Sequence, residues 1–177
     1  RLLGCMTNCL CKREYTIQSA DSPGIVADDE PIVLALIYPD DYKDGSIRGL
    51  NHTRLKKQQL SVVRAKYSSG ENAHANTVER LLQKDPARQD RGYMYALGQE
   101  IRAILLAHLK CRAFCLIDET VPDFAAHAHV GYSCIENDKR NDRLAARGDL
   151  LNVFLERGIF TEWSGAPFME DASEGAG

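Results

Sequence analysis

Apolar and polar positions alternate along this chain in ways that predict its elements before composition is considered. Ile32-Val33-Leu34-Ala35-Leu36-Ile37-Tyr38 is a continuous apolar run stopped by Pro39. Its length and β-branched content predict a buried strand. Leu60 to Tyr67 alternates imperfectly, with Ser61, Val63, Ala65 and Tyr67 on one face and Leu60, Val62, Arg64 and Lys66 on the other; this predicts a half-exposed strand. Tyr93 to Leu97, Ala113 to Ile117 and the more polar His127 to Cys134 are further strand candidates. Between the first two strands, Tyr42 to Gly49 reads as a loop with a turn at Asp44-Gly45.

Helical spacing marks three other stretches. Asn76-Thr77-Val78-Glu79 resembles a capping box and opens a short helix through Leu81 and Leu82, closed by Pro86. Gln99 to Lys110 places Ile101, Ile104, Leu105 and His108 at helical intervals, although alternation through Ile101, Ala103 and Leu105 equally suits a continued strand. Asn141 to Arg157 is the clearest helix. Leu144, Gly148, Leu151 and Leu155 form its expected buried stripe, Arg140, Arg143 and Arg147 lie off it, and Gly158 follows as a stop. Ile159 to Trp163 is expected to return to the body.

The order of elements is mixed, so the expected class is α+β: a single domain with a mixed or antiparallel sheet and about three helices. Residues 1–29 are turn-rich and read as a peripheral N-terminal extension. Residues 30–165 form the expected globular domain, and 166–177 an acidic tail. The 177 residues make one domain's worth of chain, enough for a core without metal or disulfide support. With 44% apolar and 27% charged residues, the composition excludes collagen-like, coiled-coil and wholly disordered classes. No apolar run is long enough to cross a membrane. Arg1 to Met6 is too short an apolar stretch for an export signal, which predicts a cytoplasmic protein.

Charge changes the picture locally. The net charge is −3, so the chain as a whole is no polycation. Yet residues 43–66 hold seven cations, Lys43, Arg48, Arg54, Lys56, Lys57, Arg64 and Lys66, against the single acid Asp44. Such asymmetry marks a surface for phosphate, nucleic acid or an acidic protein, set against the plainer reading of a solvated loop and a lysine-guarded edge.

A second cluster runs from Asp118 to Val130. Residues two apart on a strand share a face, so His127 and His129 stand side by side. With Asp123 or Asp118 as third ligand they would suit zinc or another divalent ion, and Glu119 would then serve as general base to a metal-bound water. The plainer reading is two histidines hydrogen-bonded on a solvent-facing strand. The six cysteines, at 5, 9, 11, 111, 115 and 134, fit no zinc-knuckle or iron–sulfur spacing and are expected to be free thiols, with Cys111 and Cys115 as small core residues and a redox or metal-binding appendage of Cys5, Cys9 and Cys11 as the lesser alternative. A Cys115–His108 nucleophile pair is conceivable, but core packing is the expected role of both. Phosphate-binding glycine loops and a complete nucleophile elbow are missing.

Several phrases together resemble a group of small uncharacterised bacterial proteins: Asp29-Glu30-Pro31 before an apolar strand and Pro39, Asp44-Gly45-x-Ile47, Leu60-Ser61-Val62, Ile117-Asp118-Glu119 and Ala126-His127-Ala128-His129-Val130. Members carry an aromatic after the Asp-Gly turn, where Leu50 stands here. The resemblance covers about 30–158. It implies that 1–29 lies outside the domain and that the Ala-His-Ala stretch belongs to a family pattern; it carries no activity. The leading functional expectation is therefore a non-catalytic bacterial accessory or binding protein that meets a protein or nucleic-acid partner through 43–66, without a cofactor. The alternative is a metal-assisted hydrolase built on His127 and His129, so whether the chain is an enzyme is left open.

Overall fold

In the computed structural model, residues 11–17, 19–68, 78–121, 124–133 and 139–161 are described. The apolar run forms strand β1 (Pro31–Tyr38), buried along nearly its whole length. Asp44 and Gly45 both take positive φ, 52° and 79°. That pair of left-handed residues is what a two-residue turn between antiparallel strands requires. It closes the small hairpin of β2 (Tyr42–Lys43) and β3 (Ser46–Ile47).

The main sheet combines β1 with β4 (Leu60–Arg64), β5 (Gln89–Leu97), β8 (Phe114–Asp118) and β9 (His127–Tyr132). Its order is β5-β1-β4-β9-β8, and every neighbouring pair is antiparallel. The α+β class and the antiparallel sheet are thus as expected. Strand β4 differs from expectation: it sits in the middle of the sheet, with Val62, Val63 and Arg64 all buried, and ends in a 3-10 turn at Ala65–Tyr67.

Four α-helices occur among the described residues: α1 (His52–Lys56), α2 (Arg80–Lys84), α3 (Gly98–Ala103) and α4 (Arg140–Leu155). Asn76 and Thr77, expected to cap α2, lie outside the described residues. The helix expected over Gln99–Lys110 stops after Ala103. Ile104 and Leu106 turn inward and Leu105 outward, the period of a strand, and β6 (Leu105–Leu106) folds back on β7 (Cys111–Arg112).

The buried stripe of α4 is also corrected. Ala146, Leu150 and Phe154 face the sheet, whereas Leu144 and Gly148 are exposed. The helix is turned by roughly a third of a revolution from the aliphatic stripe, because the one aromatic side chain, Phe154, takes the core. Under α4 lie Ile32, Leu34, Leu36, Val62, Met94, Phe114, Leu116, Val130 and Tyr132, one continuous core. The opposite face of the sheet carries Val33, Val63, Tyr93 and Tyr95 with Phe124 and Ala126. Phe160 returns to this face as expected, exchanging two backbone hydrogen bonds with Tyr93 at 2.9 Å each.

The described part of the N-terminal lead-in lies against this body. A disulfide joins Cys11 to Cys115, with their Cα atoms 5.8 Å apart. Cys111 is disulfide-bonded as well. The expectation of free thiols is therefore overturned for Cys11, Cys111 and Cys115, while Cys5, Cys9 and Cys134 lie outside the described residues. Cys115 cannot pair with His108 as a nucleophile, and His108 instead bonds Asp142. No local spacing marks this bond, because the partner of Cys11 lies 104 residues away.

Candidate functional site

The seven cations of 43–66 do not form one patch. Arg48, Arg54, Lys56 and Lys57 are exposed. The Lys43 side chain lies outside the description. Lys66 stands beyond the far end of β4, its ammonium 5.9 Å from the Tyr67 ring. Arg64 is the clear correction: it is 0% exposed and paired with Glu30 and Asp118, so it offers nothing to a partner.

What replaces them comes from a distant segment. Helix α1 begins at His52, with the Asn51 side chain accepting from the Arg54 amide at 3.0 Å and Leu55 buried beneath. Strand β9 ends next to it at Tyr132. His52 Nδ1 lies 3.2 Å from the Tyr132 hydroxyl, and that hydroxyl donates to the Arg143 carbonyl at 3.2 Å. The Arg143 guanidinium stands over the Tyr132 ring, 5.2 Å from its centre. One buried tyrosine thus ties the start of α1 to the first turns of α4. Gly131 makes the neighbouring passage, since a Cβ there would collide with Gln58, whose amide donates to the Tyr132 carbonyl at 2.9 Å.

The consequence is a merged positive surface. Burial holds the His52 imidazole below its ordinary pKa, and Arg147, Arg143, Lys56 and Arg140 push it further the same way. Four cations from two segments therefore act on one ring. Arg140, Arg143 and Arg147 are separated by three and four residues, so they follow one side of α4. Sequence reading saw these arginines only as lying off an apolar stripe. Their spacing was visible; their meeting with α1 was not.

The histidine pair is placed as the strand periodicity predicts. His127 sits opposite Val63 and His129 opposite Ser61, on one face, with ring centres 4.7 Å apart. His127 Nδ1 donates to the Glu119 carbonyl at 2.9 Å. His129 Nδ1 is buried and makes no hydrogen bond. The Glu119 carboxylate lies 3.8 Å from that nitrogen but is held by Arg13 at 2.8 Å. As a general base Glu119 would first have to leave this arginine. Asp118 does not join the pair: it points to the other face, toward Arg64. Asp123 lies outside the described residues. Among the described residues, no three His, Cys, Asp or Glu side chains are grouped to hold a metal ion.

Burial lowers the His129 pKa to about 4, helped by His127 and Arg13, so the ring is neutral at pH 7 and its contact with Glu119 is no ion pair. The sign of the resulting pH dependence is fixed. The unfolded imidazole binds a proton near its ordinary value of 6.5, and the folded one only near 4. This contribution to stability is whole above pH 6.5 and is lost as the pH falls toward 4, by up to about 3 kcal/mol. Urea unfolding of the wild type and of His129→Gln across that window checks it: the variant should lose less stability on acidification, and parallel losses would refute the assignment.

No family model matches the chain, and neither a curated protein nor a solved structure matches it.

Proposed function

We propose that this chain is a non-catalytic binding protein that holds a negatively charged macromolecular partner, nucleic acid or protein, on the surface shared by α1 and α4. The observation that carries this reading is the contact of α1 with α4 through His52, Tyr132 and Arg143, which brings Lys56 on one helix near the row Arg140, Arg143 and Arg147 on the other. In a protein of net charge −3, cations gathered from two segments 84 or more positions apart do not follow from overall composition. A field of one sign steers an oppositely charged partner and speeds its capture. Arg54 and Lys57 are exposed on and beside α1, Arg54 acting on Asp41. No helix among the described residues is long and apolar enough to cross a membrane. A disulfide persists where the surroundings are oxidising, so the cysteines lend the cytoplasmic expectation no support.

The test is Lys56→Glu combined with Lys57→Glu. Both side chains are exposed and the core residue of α1 is Leu55, so the fold is expected to survive. Partner capture, measured with immobilised polyanions at low salt, should fall at least tenfold while the thermal midpoint stays put. Undiminished capture by the folded variant would overturn the reading.

A further inference from the structure

Resting on that reading, we infer that the partner is double-stranded nucleic acid, gripped through its phosphate backbone by the α1–α4 surface. Three observations select this class. First, the chemistry on offer is mostly charge: the exposed large apolar side chain of α4 is Leu144, between Arg140 and Arg147, and no aromatic anchor accompanies it. Tyr132, the aromatic at the centre, is 3% exposed, and its ring is already covered by Arg143 and by Phe114, whose centre stands 5.2 Å away. Protein–protein interfaces keep charge out of their centres and place aromatic or aliphatic anchors there. Secondly, single strands are held by aromatic faces on which bases stack. Among the described residues, the strongly exposed tyrosines are Tyr15, Tyr38 and Tyr67, none of which belongs to α1, α4 or the end of β9.

Thirdly, the cations are extended rather than convergent. From Arg140 to Arg147 the helix rises about 10.5 Å. Duplex DNA advances about 3.4 Å per nucleotide of each strand, so this side of α4 follows about three successive steps. Lys56 stands on the second helix, four residues after His52. A free phosphate would call for donors sunk around one point, whereas Arg140 and Lys56 are open to solvent. The acids of α4 do not interrupt this side: Asp142 and Asp149 each stand two positions after an arginine of the row, about 200° around the helix, and Asp142 is engaged by His108.

The experiment is fluorescence anisotropy with a short random-sequence duplex, the matching single strand and a poly-glutamate peptide, each titrated with the full chain over a range of salt. The duplex should bind most tightly. Its log–log salt slope should be about −2.7, for three phosphates neutralised by Lys56, Arg140 and Arg147 at about −0.9 each. Arg140→Glu combined with Arg147→Glu should weaken duplex binding at least tenfold and shorten the slope by about two. Arg91→Glu on edge strand β5 combined with Lys84→Glu on α2 serves as a charge-matched control and should bind as the wild type does. Circular dichroism confirms that the variants are folded. Single-strand binding as tight as duplex binding would overturn the inference. So would capture of poly-glutamate without nucleic acid, which would leave the broader reading standing. Failure to bind any of the three polyanions would overturn both, and wild-type binding by the folded double variant would remove the surface assignment.

Discussion

Arg64→Met is expected to destabilise the fold by about 3–5 kcal/mol, the characteristic loss when one member of a buried ion cluster is removed. Every donor of this guanidinium is used. Nε and Nη2 grip the two Glu30 oxygens at 2.6 and 2.9 Å. Nη1 reaches Asp118 at 2.9 Å and the Gly24 carbonyl at 2.6 Å, and Nη2 also reaches the Ile25 carbonyl at 3.4 Å. Asp118 accepts from the Ser22 and Thr120 hydroxyls besides. Burial works against the arginine's charge, but Glu30 and Asp118 outweigh it and raise its pKa. Without the guanidinium, two buried carboxylates would face each other with no cation between them. They would have to protonate or draw in water, and the turn at residues 22–25 would lose its anchor.

Lysine should rescue only part of the loss, because a point charge cannot make the forked contact with Glu30. Arg64→Met in a background of Glu30→Gln and Asp118→Asn should be less damaging than Arg64→Met alone, since the stranded charges are then gone. Urea unfolding with an unchanged m value is the measurement. A loss below about 1 kcal/mol for Arg64→Met would show that the cluster is not the clasp described here.

The same residue shows where sequence reading stopped. Arg64 alternates with Leu60 and Val62 on one face of β4, and in a stretch crowded with lysines it looked like one more surface cation. Its partners are 34 and 54 positions away. No local pattern distinguishes a buried, paired arginine from a wet one. Strand β1 was legible because its seven apolar residues leave no other home, and the Asp44-Gly45 turn because few residues tolerate two left-handed positions in succession. The buried side of α4 was not legible. Leu144, Leu151 and Leu155 outweigh Ala146, Leu150 and Phe154 in number of large aliphatics, and only the docked position of Phe154 decides between them. The pairing of His127 with His129 followed from strand period alone. The α1–α4 surface required the sheet order, which brings the end of β9 beneath both helices and which no periodicity encodes.

Removing the Cys11–Cys115 bond, as Cys11→Ala with Cys115→Ala, is expected to lower stability by about 3 kcal/mol and the thermal midpoint by roughly 6–12 °C. The sequence separation is 104, and chain-entropy arguments assign a loop of that size up to about 4.7 kcal/mol through restriction of the unfolded chain. The folded state adds its own share. Both sulfurs are buried beside Ile117. The segment that Cys11 anchors carries Glu14, almost fully buried, with Arg102 at 2.7 Å and Arg112 against it. It also carries Arg13, the partner of Glu119. These ion pairs cross from the lead-in to β7, α3 and the end of β8, so they resist its release after the covalent tie is gone. The loss should therefore be graded: faster amide exchange over 11–17 in the double variant, with β1 and β4 protected until global unfolding. Cys11→Ala alone should behave almost as badly, because Cys115 keeps no partner. Reductant should lower the wild-type midpoint below that of the untreated double variant, since it also cuts the disulfide of Cys111. A double variant that melts with the wild type would mean that the ion pairs alone hold the lead-in on the sheet.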